Sequence, residues 1–323
     1  MTDSPQAGKS YEKVHYEFRP AKQVERRMLV HTFQCLMEAG FPISDYQYTG
    51  LGSIYYVDFI LFHRYLGINK LLSVEVSDSI RRRVRFNRPY KCVSVETGDI
   101  VEWIPTLSQN RKHIVWLDFD HRLGTKVLEA VQVSASQLSA GSLLLVTVDV
   151  EPPGRPEDGP RRWNPRTWMA YFADEAKEYL WPHPVAKEFG RERLPGINAR
   201  LLEAAILKGL VGRIDTSFLP LFNFVYADGH QMLSVGGMIG TDSDKRKLQS
   251  LPRQALYFLR DSITSNPFEI TVPNVTRKER LHLDRDMPCE DDWTPKGFEL
   301  DADKVKAYRG IYRYFPAYTE MLL

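Results

Sequence analysis

Continuously apolar runs alternate with segments of helical periodicity through the first half of the chain. Apolar runs without polar alternation are typical of strands buried on both faces of a parallel sheet. Helical segments separate the runs, and right-handed crossovers between parallel strands then give a doubly wound arrangement. The five predicted strands cover residues 45–48, 70–76, 92–95, 113–119 and 142–150.

Two more apolar runs, residues 219–226 and 231–239, flank an Asp-Gly turn and predict an antiparallel hairpin. The pattern therefore predicts an α/β fold, a doubly wound Rossmann-like seven-stranded sheet with a terminal antiparallel hairpin. Helices over residues 167–179 and 198–210 form a predicted helical insertion, residues 151–215, after the fifth strand. The predicted sheet domain spans residues 45–240. A C-terminal helical extension, residues 241–323, follows with helices over 253–259, 276–283 and 304–314.

An N-terminal helical segment, residues 1–44, precedes the sheet. Its apolar positions recur at helical spacing, Pro20 suits the first turn and Gly40 the stop. The opposite side of this helix is basic. Two interpretations stay open, a solvated face or an anion-binding lip beside the glycine turn at residues 50–53. The basic residues are Arg19, Lys22, Arg26 and Arg27.

Composition narrows the class of protein. The chain has 323 residues, 43% of them hydrophobic and 26% charged, with a net charge of +2, which is the balance of a globular protein. Three widely spaced cysteines show neither a disulfide framework nor a paired metal motif. No apolar run approaches the roughly 18 residues of a membrane helix, and residues 1–10 lack the apolar segment of a secretory signal. We expect a cytoplasmic protein without a membrane partner.

Polar residues cluster where predicted parallel strands end, the edge at which open α/β sheets bind ligands. The first strand runs into a glycine turn, Gly50-Leu-Gly52-Ser53, and glycines let a ligand approach main-chain N–H groups. Glu75 ends the second strand, 23 positions after Gly52, near the spacing at which an acid accepts ribose hydroxyls. Asp99 follows the third strand. Together they predict a nucleoside site.

This order of features resembles the class I S-adenosylmethionine-dependent methyltransferases over about residues 45–239. The resemblance implies that Gly50 and Gly52 lie beside the methionine portion of the cofactor. It also implies that Glu75 holds the ribose and Asp99 lies near the adenine. The predicted cofactor-binding residues are Tyr48, Gly50, Gly52, Ser53, Glu75, Asp99 and Asp118.

The end of the fourth strand carries the candidate catalytic residues Asp118, Asp120 and His121. The segment is unlike the Asn/Asp-Pro-Pro-Tyr motif of enzymes that methylate exocyclic nitrogens. It resembles the Asp-x-Asp-His/Lys segment of small-molecule O-methyltransferases, in some of which the first Asp helps bind a divalent cation. Such a cation stays possible here, with Asp149 as a partial second ligand. His121 is the better candidate for a general base, whereas His230 is expected to be a turn residue.

Basic residues interleaved with aromatics suggest phosphate-bearing partners. Arg161, Arg162 and Trp163 follow the fifth strand and are predicted to bind substrate, while a second basic cluster covers residues 81–91. The acceptor is then a hydroxyl or a nucleic-acid-linked group rather than a base amine. A catalytically silent fold that binds a nucleotide, nucleic acid or protein is the alternative. A dehydrogenase is disfavoured because of the antiparallel hairpin.

Overall fold

A single eight-stranded sheet organises the chain. The computed structural model describes residues 19–51, 53–75, 81–151, 165–176, 179 and 185–316. The strands are β1 (Gln47–Leu51), β2 (Leu71–Glu75), β3 (Val93–Thr97), β4 (His113–Arg122), β5 (Ser142–Asp149), β6 (Ser217–Ala227), β7 (Gln231–Gly240) and β8 (Phe268–Ile270). Their spatial order is β3-β2-β1-β4-β5-β7-β6-β8.

The strand order confirms the doubly wound fold. β1 pairs in parallel with both β2 and β4, so the direction of winding reverses between β1 and β4. β7 is antiparallel to β5 and β6, which confirms the predicted hairpin. The eighth strand, β8, was not predicted from the sequence and pairs in parallel with β6 over three residues. Seven strands therefore end at the same edge, which we call the carboxyl edge.

Helices cover both faces of the sheet. They are α1 (Pro20–Glu38), α2 (Val57–Leu66), α3 (Arg81–Phe86), α4 (Ile100–Trp103), α5 (Thr125–Gln137), α6 (Pro165–Ala176), α7 (Leu194–Gly209), α8 (Asp242–Gln249), α9 (Arg277–Asp286) and α10 (Ala302–Ile311). Helices α1 and α2 pack on one face, where Phe33, Phe62 and Trp116 share a buried core. Helices α5 and α7 pack on the other, around Val131, Leu144 and Leu202.

Two predicted elements in the C-terminal part need correction. Residues 253–259 form turns rather than a helix. The reason is that Leu256 and Phe258, only two positions apart, are both fully buried. The chain then contacts β6, where the Arg260 N–H donates to the Leu221 carbonyl. Helix α8 was not predicted, although Thr241 and Asp244 form a reciprocal capping box at its start. Helix α1 shares its core with the sheet, and the domain boundaries at residues 44 and 240 stay predictions.

The predicted boundaries of β1 and β4 also shift. β1 reaches Leu51, so Gly50 lies inside a strand, opposite Ser73 and Trp116, rather than in a turn. β4 continues to Arg122, and its register with β5 slips between Asp118 and Arg122. Arg122 lies four residues after Asp118 on β4, whereas their partners Thr147 and Asp149 are two residues apart on β5. Residues 119–121 therefore form a bulge. Bulges often re-aim side chains beside functional sites.

Candidate active site

The ends of β2 and β3 bring three polar side chains together. Glu75 and Thr97 are paired across the two strands, and Gly98 N–H donates to the Glu75 carbonyl at 3.0 Å. Gly98 has a φ of +148°, and a Cβ there would lie 2.9 Å from Trp103 Nε1, so the turn requires glycine. Asp99 follows and caps α4 by accepting from Val101 N–H at 3.0 Å.

Thr97 supplies the polar atom in this cluster that most needs a ligand. Its Oγ1 is buried and has no hydrogen-bond partner within the described ranges. Buried polar atoms are normally satisfied, and leaving one unsatisfied is costly. Thr97 is paired in register with Glu75 and precedes Asp99 by two positions, and an acid at this edge of an open α/β sheet accepts hydrogen bonds from ribose hydroxyls. The residues present therefore fit a nucleoside.

The end of β1 is less open than the sequence predicts. Tyr48 is 1% exposed, and its ring packs edge-on against Phe59 and Phe62. A Cβ on Gly50 would lie 2.5 Å from the Tyr48 hydroxyl, so the glycine makes room for this buried ring. Ser53 Oγ accepts from Tyr55 N–H at 3.3 Å. Gly52 lies outside the described residues.

The predicted catalytic residues at the bulge in β4 differ in how exposed they are. Asp118 is 14% exposed, whereas Asp120 and His121 are exposed at the carboxyl edge. The His121 ring lies 5.2 Å from that of Phe119, and its Nδ1 contacts the Arg122 carbonyl at 3.0 Å. The two aspartates and the histidine thus share one strand end, but Asp118 turns toward α1.

Lys22 of α1 is the partner of Asp118. Its ammonium lies 2.8 Å from Asp118 Oδ1, 2.9 Å from Glu25 Oε2 and 3.1 Å from the Tyr226 hydroxyl. The same ammonium sits 4.3 Å from the centre of the Trp116 ring. Lys22 and Glu25 are 2% and 1% exposed. We call Lys22, Glu25, Asp118 and Tyr226 the lysine cluster.

Burial and charge oppose each other in the lysine cluster. Burial alone lowers the pKa of Lys22, but the carboxylates of Asp118 and Glu25 raise it well above its ordinary value. Burial also raises the pKa of Glu25, against the opposing effect of Lys22. The pKa of Tyr226 is raised by burial and by Glu25. The cluster therefore holds a permanent cation beside Asp118.

Two more contacts fix α1 across the carboxyl edge. Arg26, 1% exposed, forms an ion pair with Asp58 in the first turn of α2. Asp228, in the β6–β7 turn, accepts from Ala21 N–H at 3.0 Å and Lys22 N–H at 2.9 Å. A carboxylate at a helix start satisfies orphan donors and complements the helix dipole. The solvated-face interpretation is therefore wrong for Lys22 and Arg26, which are buried and pair with carboxylates of the protein.

A histidine–carboxylate pair ends β5. Asp149 Oδ2 lies 3.1 Å from His230 Nδ1, and Asp149 Oδ1 accepts from Glu151 N–H at 2.6 Å. Asp149 is 9% exposed and His230 is 42% exposed. The sequence assigned His230 to a turn and missed the pair, because residues 81 positions apart meet only once β5 and β7 are paired.

Some sequence-predicted features fall outside this description. Arg161, Arg162 and Trp163 lie among residues that the structure does not describe, so their role stays a prediction. Within the described ranges, no group of three His, Cys, Asp or Glu side chains is arranged to hold a metal ion. No helix among the described residues is long and apolar enough to span a membrane.

Comparisons with known proteins place the chain in a family. A model of the family described as "Putative O-methyltransferase" matches residues 14–323. No curated protein sequence matches the chain.

Three solved structures with low sequence identity are similar in part. A putative O-methyltransferase from Klebsiella pneumoniae is 13% identical, with 74% of this chain and 91% of that chain covered and a TM-score of 0.39. TomG, an O-methyltransferase from Streptomyces achromogenes solved with S-adenosylmethionine, is 15% identical, with 66% and 79% covered and a TM-score of 0.37. The O-methyltransferase from Bacillus cereus, solved with S-adenosylhomocysteine, is 12% identical, with 68% and 81% covered and a TM-score of 0.37.

The family match spans the N-terminal helix, the whole sheet and the C-terminal helices. It confirms the resemblance drawn from the strand-end residues and the terminal hairpin. The chain belongs to this O-methyltransferase family.

Proposed function

We propose that the chain transfers a methyl group from S-adenosylmethionine to a hydroxyl group. The observation that carries the proposal is the buried Thr97 hydroxyl without a partner in the described residues, at the end of β3, in register with Glu75 of β2 and two positions before Asp99. Glu75 would hold the ribose hydroxyls, Thr97 would complete that contact, and Asp99 would lie beside the adenine. When bound, the cofactor supplies an electrophilic methyl group on a sulfonium.

The acceptor would lie above β4 and β5, next to the proposed cofactor site. Methyl transfer is an in-line displacement, so positioning contributes most and a base removes the hydroxyl proton. Two imidazoles, those of His121 and His230, reach this part of the edge. His230 has the better support, because Asp149 holds its Nδ1 and directs the opposite ring nitrogen away from the carboxylate.

Asp118 would pair with Lys22 rather than hold a metal ion. Lys22 already contacts its Oδ1 at 2.8 Å and neutralises the carboxylate. A divalent cation at Asp118 would stand against this buried ammonium, and like charges at such a distance repel strongly. We therefore propose a transfer that needs no divalent cation, with addition of magnesium or a chelator leaving the rate unchanged.

Calorimetry with S-adenosylmethionine and its demethylated product tests the cofactor assignment. The chain should bind both, and Glu75→Ala should weaken binding about tenfold or more, since hydrogen bonds to a charged group contribute roughly 1.5–3 kcal/mol. Glu102→Ala, an exposed acid on α4, is the matched control and should leave affinity unchanged. Absence of heat from the unaltered chain, or unchanged affinity in Glu75→Ala, would refute the site.

The catalytically silent alternative predicts a different result from the same protein. It predicts no transfer of labelled methyl to any member of a panel of phenols, catechols and nucleosides, whether or not the cofactor binds. Transfer to one member would establish an enzyme and name the acceptor class.

A cytoplasmic location also stays a proposal. Its support is that Cys35, Cys92 and Cys289 are unpaired thiols, as in proteins of reducing compartments. Detection of the protein mainly in a membrane or secreted fraction would contradict it.

A further inference from the structure

An exposed basic surface surrounds α3, at the β3 side of the sheet. Seven basic side chains there are exposed. Residues 75–95 carry six basic and two acidic side chains, six minus two or a net charge of +4, whereas the whole chain carries only +2. We call this surface the α3 basic face. Its members are Arg64, Arg81, Arg82, Arg83, Arg85, Arg88 and Lys91.

The most exposed aromatic ring among the described residues belongs to this face. Phe86 is 88% exposed, the highest value among the large apolar side chains in the described part of the chain. Its neighbour Val84 is fully buried, and the Val84 carbonyl accepts from the Tyr56 hydroxyl at 3.0 Å. The core therefore holds α3 by Val84 and leaves Phe86 directed to solvent. A second ring, that of Tyr90, is tied to the same face because its hydroxyl accepts from Arg64 Nε at 2.8 Å.

We propose that the α3 basic face binds single-stranded nucleic acid, with phosphates on the arginines and a base stacked on Phe86. Planar guanidinium groups match phosphate oxygens in pairs and also stack on bases. Exposed aromatic rings bind unpaired bases of any sequence. This inference goes beyond the proposed methyl transfer and does not depend on it.

An anionic membrane is the competing partner for a basic surface. Helices that lie on membranes present a continuous apolar face of several side chains. Helix α3 has six residues, and of its two apolar side chains one is buried in the core. One exposed ring among arginines suits stacking on a base better than insertion among lipid chains.

Fluorescence anisotropy tests the proposal with a labelled oligouridine RNA of about 20 nucleotides, longer than typical single-strand sites. The proteins are the unaltered chain, Arg82→Ala/Arg85→Ala, Phe86→Ala and the control Lys245→Ala/Arg246→Ala, which removes two exposed charges from α8. Titrations run from about 50 to 200 mM salt. Heparin, an anion without bases, and vesicles containing phosphatidylserine serve as additional ligands. Circular dichroism confirms that each variant is folded.

Each variant has its own expected result. Losing two phosphate contacts should lower the slope of log affinity against log salt by about 1.4, at roughly 0.7 per contact on single strands. Phe86→Ala should weaken RNA binding about tenfold and leave heparin binding unchanged. The α8 control should bind like the unaltered chain.

Three results would overturn the proposal. One is absence of RNA binding at low salt, with or without binding to vesicles. Another is an equal loss of affinity in the α3 and α8 double variants, which would mean that only net charge matters. The last is unchanged RNA affinity in Phe86→Ala, which would remove the stacking site.

Discussion

Replacing Lys22 by methionine tests whether the lysine cluster is a structural requirement of the fold. Methionine keeps most of the buried aliphatic stem but removes the ammonium. Glu25, 1% exposed, and Asp118, 14% exposed, would then lie buried without their cation. Removing one partner of a buried ion pair costs about 3–5 kcal/mol. For 323 residues this corresponds to a fall in Tm of about 4–8 °C, from the average unfolding entropy per residue.

The cost should depend on pH with a definite sign. The folded-state pKa of Glu25 lies above its ordinary value of 4.5, so the stability it contributes is present below that value and lost as pH rises through the folded pKa. Without Lys22 that pKa rises further. The Lys22 pKa is raised above 10.5, so in the unaltered chain Lys22 stays charged across the neutral range. The variant's deficit should therefore be large at about pH 8 and smaller at about pH 5.

Thermal unfolding followed by circular dichroism at both pH values measures the deficit. Arg253→Met is the matched control, because Arg253 pairs with Asp261 at 2.7 Å with side chains 42% and 87% exposed. Such surface pairs contribute about 0–1 kcal/mol. A Lys22→Met deficit as small as that of the control, or one equal at the two pH values, would show that the cluster is not an ion-pair network in solution.

Four other substitutions test the edge around this cluster. Gly50→Ala should cost about 1–3 kcal/mol of stability through overpacking. Adding Tyr48→Phe should restore part of that stability, because the atom closest to the new Cβ, 2.5 Å away, is the Tyr48 hydroxyl. Equal Tm values for Gly50→Ala and the parent chain would refute the close approach. His230→Gln should lower kcat on a responsive acceptor about 10²–10⁴-fold with unchanged cofactor affinity. A larger loss in His121→Gln would return the role of base to His121.

The sequence predicts the sheet well because burial on both faces leaves continuous apolar runs. Residues 142–150, a predicted strand, coincide closely with β5, whose residues are all buried. Strand ends are harder to place. In the sequence Gly50 resembles a turn glycine. The structure places it inside β1, where the buried Tyr48 ring explains why this strand position is a glycine.

The candidate site was predictable only where its residues stand at consecutive strand ends. Glu75 and Asp99 could be placed this way, because Glu75 ends β2 and Asp99 stands two positions after the end of β3. Lys22 could not be placed this way. The periodicity of α1 shows that Lys22 lies opposite the apolar stripe, but it does not show that its ammonium contacts Asp118, 96 positions away. One sequence interpretation placed an anion-binding lip beside the glycine turn, but two of its four cations, Lys22 and Arg26, pair with carboxylates of the protein.

The cap that Asp228 places on α1 constrains the order of folding. Its two hydrogen bonds join positions 207 and 206 residues apart, so they form only after the β6–β7 turn exists. Contacts of such long separation are slow to form because chain entropy is lost first. Helix α1, the first helix among the described residues, must therefore wait for the hairpin before it can close over the carboxyl edge. Pulsed hydrogen exchange during refolding should show the amides at the start of α1 protected later than those of β4 and β5; earlier protection would contradict this order.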